Sequence, residues 1–186
     1  MSLQEYIYIS ISIIYGLAIT RLLTKFFDAM RLTDKTDFNW SIFIWSIGVA
    51  IMLVWFIWIG FRIQSMTDLN YGVFIYLLIT TITLYGAVEF SFPKMQETNP
   101  SVYGDIYREL RLSALFLVAY LLIVGLANTT FANAGWMETL KLTGIGILLT
   151  MIVILKPRFI HWVAPVFLMY ALIVHTPLQK FIGLIP

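Results

Sequence analysis

Long apolar runs separated by short polar segments dominate the pattern along this chain. A helix needs roughly 20 apolar residues to cross the hydrocarbon core of a bilayer. The first four runs reach that length and the last two are shorter. The runs are residues 5–27, 41–61, 71–92, 110–131, 139–155 and 159–176. The pattern therefore predicts an all-α fold, a polytopic transmembrane helix bundle of about six spans, with residues 1–186 forming a single transmembrane domain.

The last two runs are separated by three residues, Lys156-Pro157-Arg158. We interpret these two runs as a tight helical hairpin. A single bent element is the alternative, and it would give five crossings instead of six.

Composition supports the membrane class. Charged residues make up 12% of the chain, whereas a soluble domain carries about 25%. The longest polar connection, residues 93–109, has 17 residues, so we expect no soluble domain. The chain contains no cysteine, which excludes disulfides, iron–sulfur ligation and thiol chemistry.

The basic residues predict an orientation. Nine of them belong to connections one, three and five, and three belong to the opposite side. The nine are Arg21, Lys25, Arg31, Lys35, Lys94, Arg108, Arg111, Lys156 and Arg158, and the three are Arg62, Lys141 and Lys180. Because cytoplasmic connections carry the excess of Lys and Arg, the odd connections are predicted to be cytoplasmic and the N-terminus to lie outside.

Span one carries small residues four positions apart at Ser12, Gly16, Thr20 and Thr24. Small residues at this spacing allow helix backbones to approach closely in lipid. Two interpretations of this helix-packing stripe remain open. It is either a packing face within one protomer or the seam of a homo-oligomer.

Two charged residues lie inside otherwise apolar spans. Arg21 is near the end of span one, and a guanidinium at bilayer depth faces protein or water. In span three, Thr81, Tyr85 and Glu89 share one helix face. Both spans run in the same direction, so Arg21 and Glu89 are predicted to meet near the inner boundary. The four residues form either a polar path or a structural pair, and Pro93 should end span three.

Span two is rich in tryptophan, at Trp40, Trp45, Trp55 and Trp58. Tryptophans near both ends of a span are typical of the aromatic belts of a membrane helix. An aromatic ligand cage is the alternative interpretation.

Three stretches carry a resemblance to known proteins. They are IYGLAITRLL at residues 14–23, the tryptophan-rich second span, and LYGAVEFSFP at residues 84–93. Together they resemble an uncharacterised family of small multi-pass bacterial inner-membrane proteins, known only as hypothetical proteins. The resemblance covers the first two-thirds of the chain and implies the bacterial inner membrane. It implies no activity.

Candidate chemistry is sparse. His161 and His175 lie 14 residues apart, which is roughly 21 Å along a helix at about 1.5 Å per residue. Haem held between copies of the chain, or with methionine ligands, is one interpretation of that spacing. The sequence has no His-Glu-x-x-His metal motif and no Gly-x-Ser-x-Gly elbow. We therefore expect a protein without cofactor that is not an enzyme.

The leading functional hypothesis is a homo-oligomeric, pore-like module that conducts ions or small solutes. The alternative is a non-conducting membrane sensor, anchor or effector that works with a soluble partner, with bacterial stress or phage defence as the setting. The expected partners are the lipid bilayer, further copies of the chain and a cytoplasmic protein. No nucleic-acid partner is expected.

Overall fold

A computed structural model describes residues 3–32, 40–63, 71–92, 102–130 and 136–175. Within these ranges the regular structure is helical throughout. The six α-helices are α1 (Leu3–Leu32), α2 (Trp40–Ile63), α3 (Tyr71–Ser91), α4 (Val102–Thr130), α5 (Trp136–Leu155) and α6 (Ile160–His175). A short 3-10 turn, Pro157–Phe159, separates α5 from α6.

Five of the helices are long and apolar enough to cross a membrane. These are α1, α2, α3, α4 and α6, the last together with the turn before it. Because the backbone hydrogen bonds of a helix are satisfied internally, such helices are stable in hydrocarbon. The protein thus has the character of a multi-pass membrane protein.

The helices extend beyond several predicted spans. Helix α1 continues to Leu32, and α4 begins at Val102, eight residues before the predicted span four. Helix α3 ends at Ser91, two residues before Pro93.

The link between α5 and α6 is a turn between two helices and not one bent element. The backbone amide of Lys156 donates to the carbonyl of Ile152 at 2.8 Å, and the amide of Phe159 donates to the carbonyl of Lys156 at 3.0 Å. Pro157 starts the 3-10 turn, where its missing N–H costs no hydrogen bond. The last two runs therefore form two helices joined by a turn, and the number of crossings, five or six, stays a prediction.

The helices pair around one core. Helix α4 packs along both α3 and α5, α2 packs along α6, and α1 packs along α3. Buried aromatic and aliphatic side chains from these helices meet in one cluster. Its largest fully buried members include Trp45, Phe56, Leu84, Leu117, Tyr120 and Phe167.

Trp45 corrects the interpretation of span two as a helix with aromatic belts. Its side chain is 0% exposed, and its ring stacks on Phe167 with 4.3 Å between the centroids. Its indole N–H donates to the hydroxyl of Ser113 at 3.2 Å. Trp40, by contrast, is exposed. Trp45 is a core residue because Ser113 of α4 satisfies its only polar group.

Helix α1 is the most peripheral of the five spanning helices. Only 17% of the residues in its spanning window are buried, against 39% or 50% in the other four. Ile11, Tyr15 and Ala18 form its buried side. Tyr15 contacts Phe56 of α2 edge to face, with 5.9 Å between the ring centroids. One narrow apolar face therefore joins α1 to the bundle, and charged contacts near its C-terminal end add to it.

Candidate functional site

A bidentate ion pair joins α1 to the last turn of α3. The Nε atom of Arg21 donates to Oε2 of Glu89 at 2.7 Å, and a terminal guanidinium nitrogen donates to Oε1 at 2.9 Å. Parallel bonds of this kind restrict orientation as well as distance. The Arg21 side chain is nevertheless 43% exposed and that of Glu89 is 23% exposed. The pair therefore lies at the edge of the bundle, where a further molecule can reach the guanidinium.

Lys25 is the third charged member of this site, and the sequence did not identify it as such. It lies one helical turn beyond Arg21, and its Nζ is 3.2 Å from Oε1 of Glu89. The same ammonium donates to the backbone carbonyl of Glu89 and, at 3.4 Å, to that of Phe92. Only 11% of the Lys25 side chain is exposed.

Proline chemistry explains why Lys25 turns inward. In a helix, the carbonyl of Glu89 would accept from the amide of residue 93, and residue 93 is a proline with no N–H. The ammonium of Lys25 supplies the missing donor. A sequence signal for this contact existed in the combination of a basic residue four positions after Arg21 and a proline four positions after Glu89.

Side chains of two other helices also donate hydrogen bonds to backbone carbonyls near the C-terminal end of α3. The hydroxyl of Ser113 on α4 donates to the carbonyl of Ala87 at 3.0 Å, and the hydroxyl of Ser46 on α2 donates to the carbonyl of Ser91 at 2.9 Å. Helix ends leave carbonyls without intrahelical donors. Side chains from α1, α2 and α4 thus converge on the end of α3 and fix its position.

Thr81 and Tyr85 of the predicted polar stripe take different positions. Thr81 is buried, and its hydroxyl donates to the carbonyl of Leu77 in its own helix at 2.6 Å. Tyr85 is half-buried and lies one helical turn before Glu89 on α3. Tyr85 is therefore next to the ion pair along its helix, while the hydroxyl of Thr81 donates within its own helix.

The small-residue stripe of α1 points away from the protomer. Ser12, Gly16, Thr20 and Thr24 are all exposed, and a Cβ added to Gly16 would meet nothing within 4 Å. The hydroxyls of Thr20 and Thr24 donate to the carbonyls four residues earlier, at 2.7 and 2.8 Å. The stripe is thus not a packing face within one protomer, because Ile11, Tyr15 and Ala18 occupy the side that faces the bundle. The homo-oligomer seam stays a prediction.

The structure describes the surroundings of one of the two histidines, His161, and haem held between copies of the chain stays an untested interpretation. Nδ1 of His161 lies 2.5 Å from the hydroxyl of Ser41 on α2, and the side chain is otherwise exposed. The side chain of His175 lies outside the described residues. Among the described side chains there is no group of three or more metal-binding residues. His161 joins α6 to α2.

The charges of the site determine what it can do chemically. Two cations, Arg21 and Lys25, contact one carboxylate, Glu89, and Asp28 and Glu109 lie near enough to interact electrostatically with them. The partly exposed guanidinium of Arg21 is the accessible element of the cluster. It offers a positively charged group to an anion at one edge of the bundle.

Comparison with known proteins gives no relative from which a role could be transferred. No family model matches the chain, and neither a curated protein nor a solved structure is significantly similar to it.

Proposed function

We propose that the protein is a homo-oligomeric membrane module that conducts ions or small solutes, with α1 of each copy packed against a neighbouring copy. The observation that carries this proposal is the outward position of the small-residue stripe on the least buried spanning helix. Close helix packing in lipid uses small residues, and among the described residues all four positions of this stripe are exposed. A second copy of α1 fits that surface.

The exposed part of Arg21 supports the same arrangement. A guanidinium at bilayer depth faces protein or water, and 43% of the Arg21 side chain is exposed beside Glu89. If neighbouring copies approach along α1, the Arg21 clusters of several copies come near one another. A polar path between copies would be lined by these clusters.

The proposed setting is the bacterial inner membrane, with the N-terminus outside and the odd connections in the cytoplasm. We include α5 as a sixth crossing, because its 20 residues extend about 30 Å at about 1.5 Å per residue. Large apolar side chains that face outward on α5, such as Leu148 and Ile152, support contact with lipid.

Disulfide crosslinking tests the seam directly, since the natural chain has no cysteine. Gly16→Cys should crosslink to dimers in native membranes under mild oxidation. Leu122→Cys is a matched control because residue 122 is also exposed, but on α4. Equal crosslinking at both positions, or none at residue 16, would contradict the seam.

Flux through proteoliposomes tests conduction. Wild-type protein should release a trapped ion or small dye, and Arg21→Ala and Glu89→Gln should change the rate. Each protein is first shown to be folded and inserted, by its helical circular dichroism and its protease pattern. Absence of flux in folded wild-type protein would contradict the pore.

The second candidate function is a non-conducting membrane sensor, anchor or effector that works with a soluble partner. One observation favours it. Arg21 and Lys25 both bind groups of α3, so their charges join helices and need not line a path. This candidate predicts no flux from a folded oligomer, which separates it from the first.

A further inference from the structure

A second basic site lies apart from the Arg21 cluster. An open pocket of about 640 Å³ separates the N-terminal half of α4 from the turn between α5 and α6. Arg108 and Arg111 of α4 line one side, and Lys156 and Arg158 of the turn line the other. Arg108 and Arg111 are three residues apart, so they share one face of α4. Four cations thus converge on one concave surface.

No acidic residue is among the residues that line this pocket. The ammonium of Lys156 also lies 5.8 Å from the ring centroid of Phe159. Because like charges placed together repel each other, a surface lined by four cations favours an anionic ligand.

The apolar lining of the pocket indicates which kind of anion fits. Leu155 and Phe159 line the pocket together with the cations, and both are exposed. Trp162 follows on α6 and is exposed as well. A pocket lined by both cations and exposed apolar side chains suits a ligand that has a charged head and an apolar tail.

We propose that this pocket binds the phosphate of an anionic phospholipid headgroup, with the acyl chains lying along Leu155 and Phe159. The guanidinium groups of Arg108, Arg111 and Arg158 suit the geometry of phosphate oxygens, and the ammonium of Lys156 adds a fourth charge. Basic pockets between membrane helices hold lipid headgroups in this way. The inference does not depend on conduction by the protein, because the pocket and the Arg21 cluster share no residue.

The experiment compares lipids of equal chain length that differ in headgroup charge. Purified protein is titrated with phosphatidylglycerol in micelles, and bound lipid is counted by native mass spectrometry, with phosphatidylcholine as the neutral reference. We expect wild-type protein to retain phosphatidylglycerol in preference to phosphatidylcholine. The variant Arg111→Gln/Arg158→Gln should lose this preference, with about a fivefold drop in affinity for each cation removed.

The control variant is Lys141→Gln, which removes an exposed cation of α5 outside the pocket. It should bind phosphatidylglycerol as wild-type protein does. The proposal would be overturned if the pocket variant retained as much phosphatidylglycerol as the wild type. It would also be overturned if Lys141→Gln lost as much phosphatidylglycerol as the pocket variant. Thermal unfolding of each variant in neutral micelles shows that it is folded, and a conservative Arg111→Lys/Arg158→Lys variant should restore most of the binding.

A separate experiment distinguishes a soluble phosphate ligand from a phospholipid headgroup. Inorganic phosphate and pyrophosphate are titrated by calorimetry into protein held in phosphatidylcholine nanodiscs. Binding of these ions that the pocket variant abolishes, without any preference for phosphatidylglycerol, would overturn the lipid as the source of the phosphate. Binding of these ions only at concentrations well above those at which phosphatidylglycerol binds would support the lipid.

Discussion

Lys25 on α1 donates a hydrogen bond to the backbone carbonyl of Glu89 on α3, the carbonyl that faces a proline four positions later. The same ammonium contacts the carboxylate of Glu89. The Lys25 ammonium therefore donates to a carbonyl that lacks its helical donor and also pairs with the carboxylate of the same residue, Glu89. This contact makes Lys25 a structural residue, although its sequence position suggests an ordinary basic residue at the membrane boundary.

Removal of the Lys25 ammonium should destabilise the bundle more than removal of an exposed lysine. Lys25→Met keeps the length of the side chain but leaves the Glu89 carbonyl without its donor. Hydrogen bonds that involve a charged group contribute about 1.5–3 kcal/mol. Denaturant unfolding in micelles should show a loss of this order, and the exposed control Lys141→Met should show little change. Equal losses would contradict the role of Lys25.

Within the ion pair, loss of the carboxylate should cost more than loss of the guanidinium. Glu89→Gln leaves two cations, Arg21 and Lys25, without a counter-charge, whereas Arg21→Gln leaves Glu89 paired with Lys25. Removing one partner of a fully buried pair costs about 3–5 kcal/mol. Because Arg21 is 43% exposed, we expect a coupling of only about 1–2 kcal/mol. A double-mutant cycle on the free energy of unfolding measures it, and a coupling near zero would show that the pair contributes no stability.

Alanine substitutions at two helix glycines, Gly86 and Gly144, should change the stability of the protein in opposite directions. A Cβ on Gly86 would lie 2.6 Å from the ring of Phe116, and that ring is stacked on Phe90 with 5.8 Å between centroids. Gly86→Ala should therefore destabilise the protein by about 1–3 kcal/mol through overpacking. A Cβ on Gly144 meets nothing within 4 Å, so Gly144→Ala should stabilise α5 by up to about 1 kcal/mol. Thermal unfolding of both variants tests the contrast, and shifts of the same sign would contradict it.

If the proposed module conducts ions, the charge of the Arg21 cluster should set the preference for anions. The cluster carries two cations and one carboxylate, and rings of cationic side chains select anions in pores. Glu89→Gln should raise the permeability of chloride relative to potassium, and Arg21→Gln should lower it. Reversal potentials across a KCl gradient in planar bilayers provide the measurement. A reversal potential that neither substitution changes would place the cluster away from the path.

The apolar runs alone determined that this chain is helical and where its helices lie. In hydrocarbon, every backbone polar group must be satisfied within its own segment, so a long apolar run has few alternatives to a helix. The end of α3 at Ser91 is also determined by the local sequence, because Pro93 has no backbone N–H with which to continue the helix. The meeting of Arg21 with Glu89 could be anticipated because two buried charges at the same depth in parallel spans are each other's natural counter-ions.

The side that each helix turns toward its neighbours was decided only by the tertiary structure. In a span that is apolar all round, periodicity does not distinguish a face that touches protein from one that touches lipid. The burial of Trp45 depends on a hydroxyl that α4 offers at Ser113, and the outward stripe of α1 depends on Ile11 and Tyr15 fitting against the bundle. Lys25 reaches the Glu89 carbonyl for the same reason, since the distance between α1 and α3 follows from packing that no local stretch of sequence encodes.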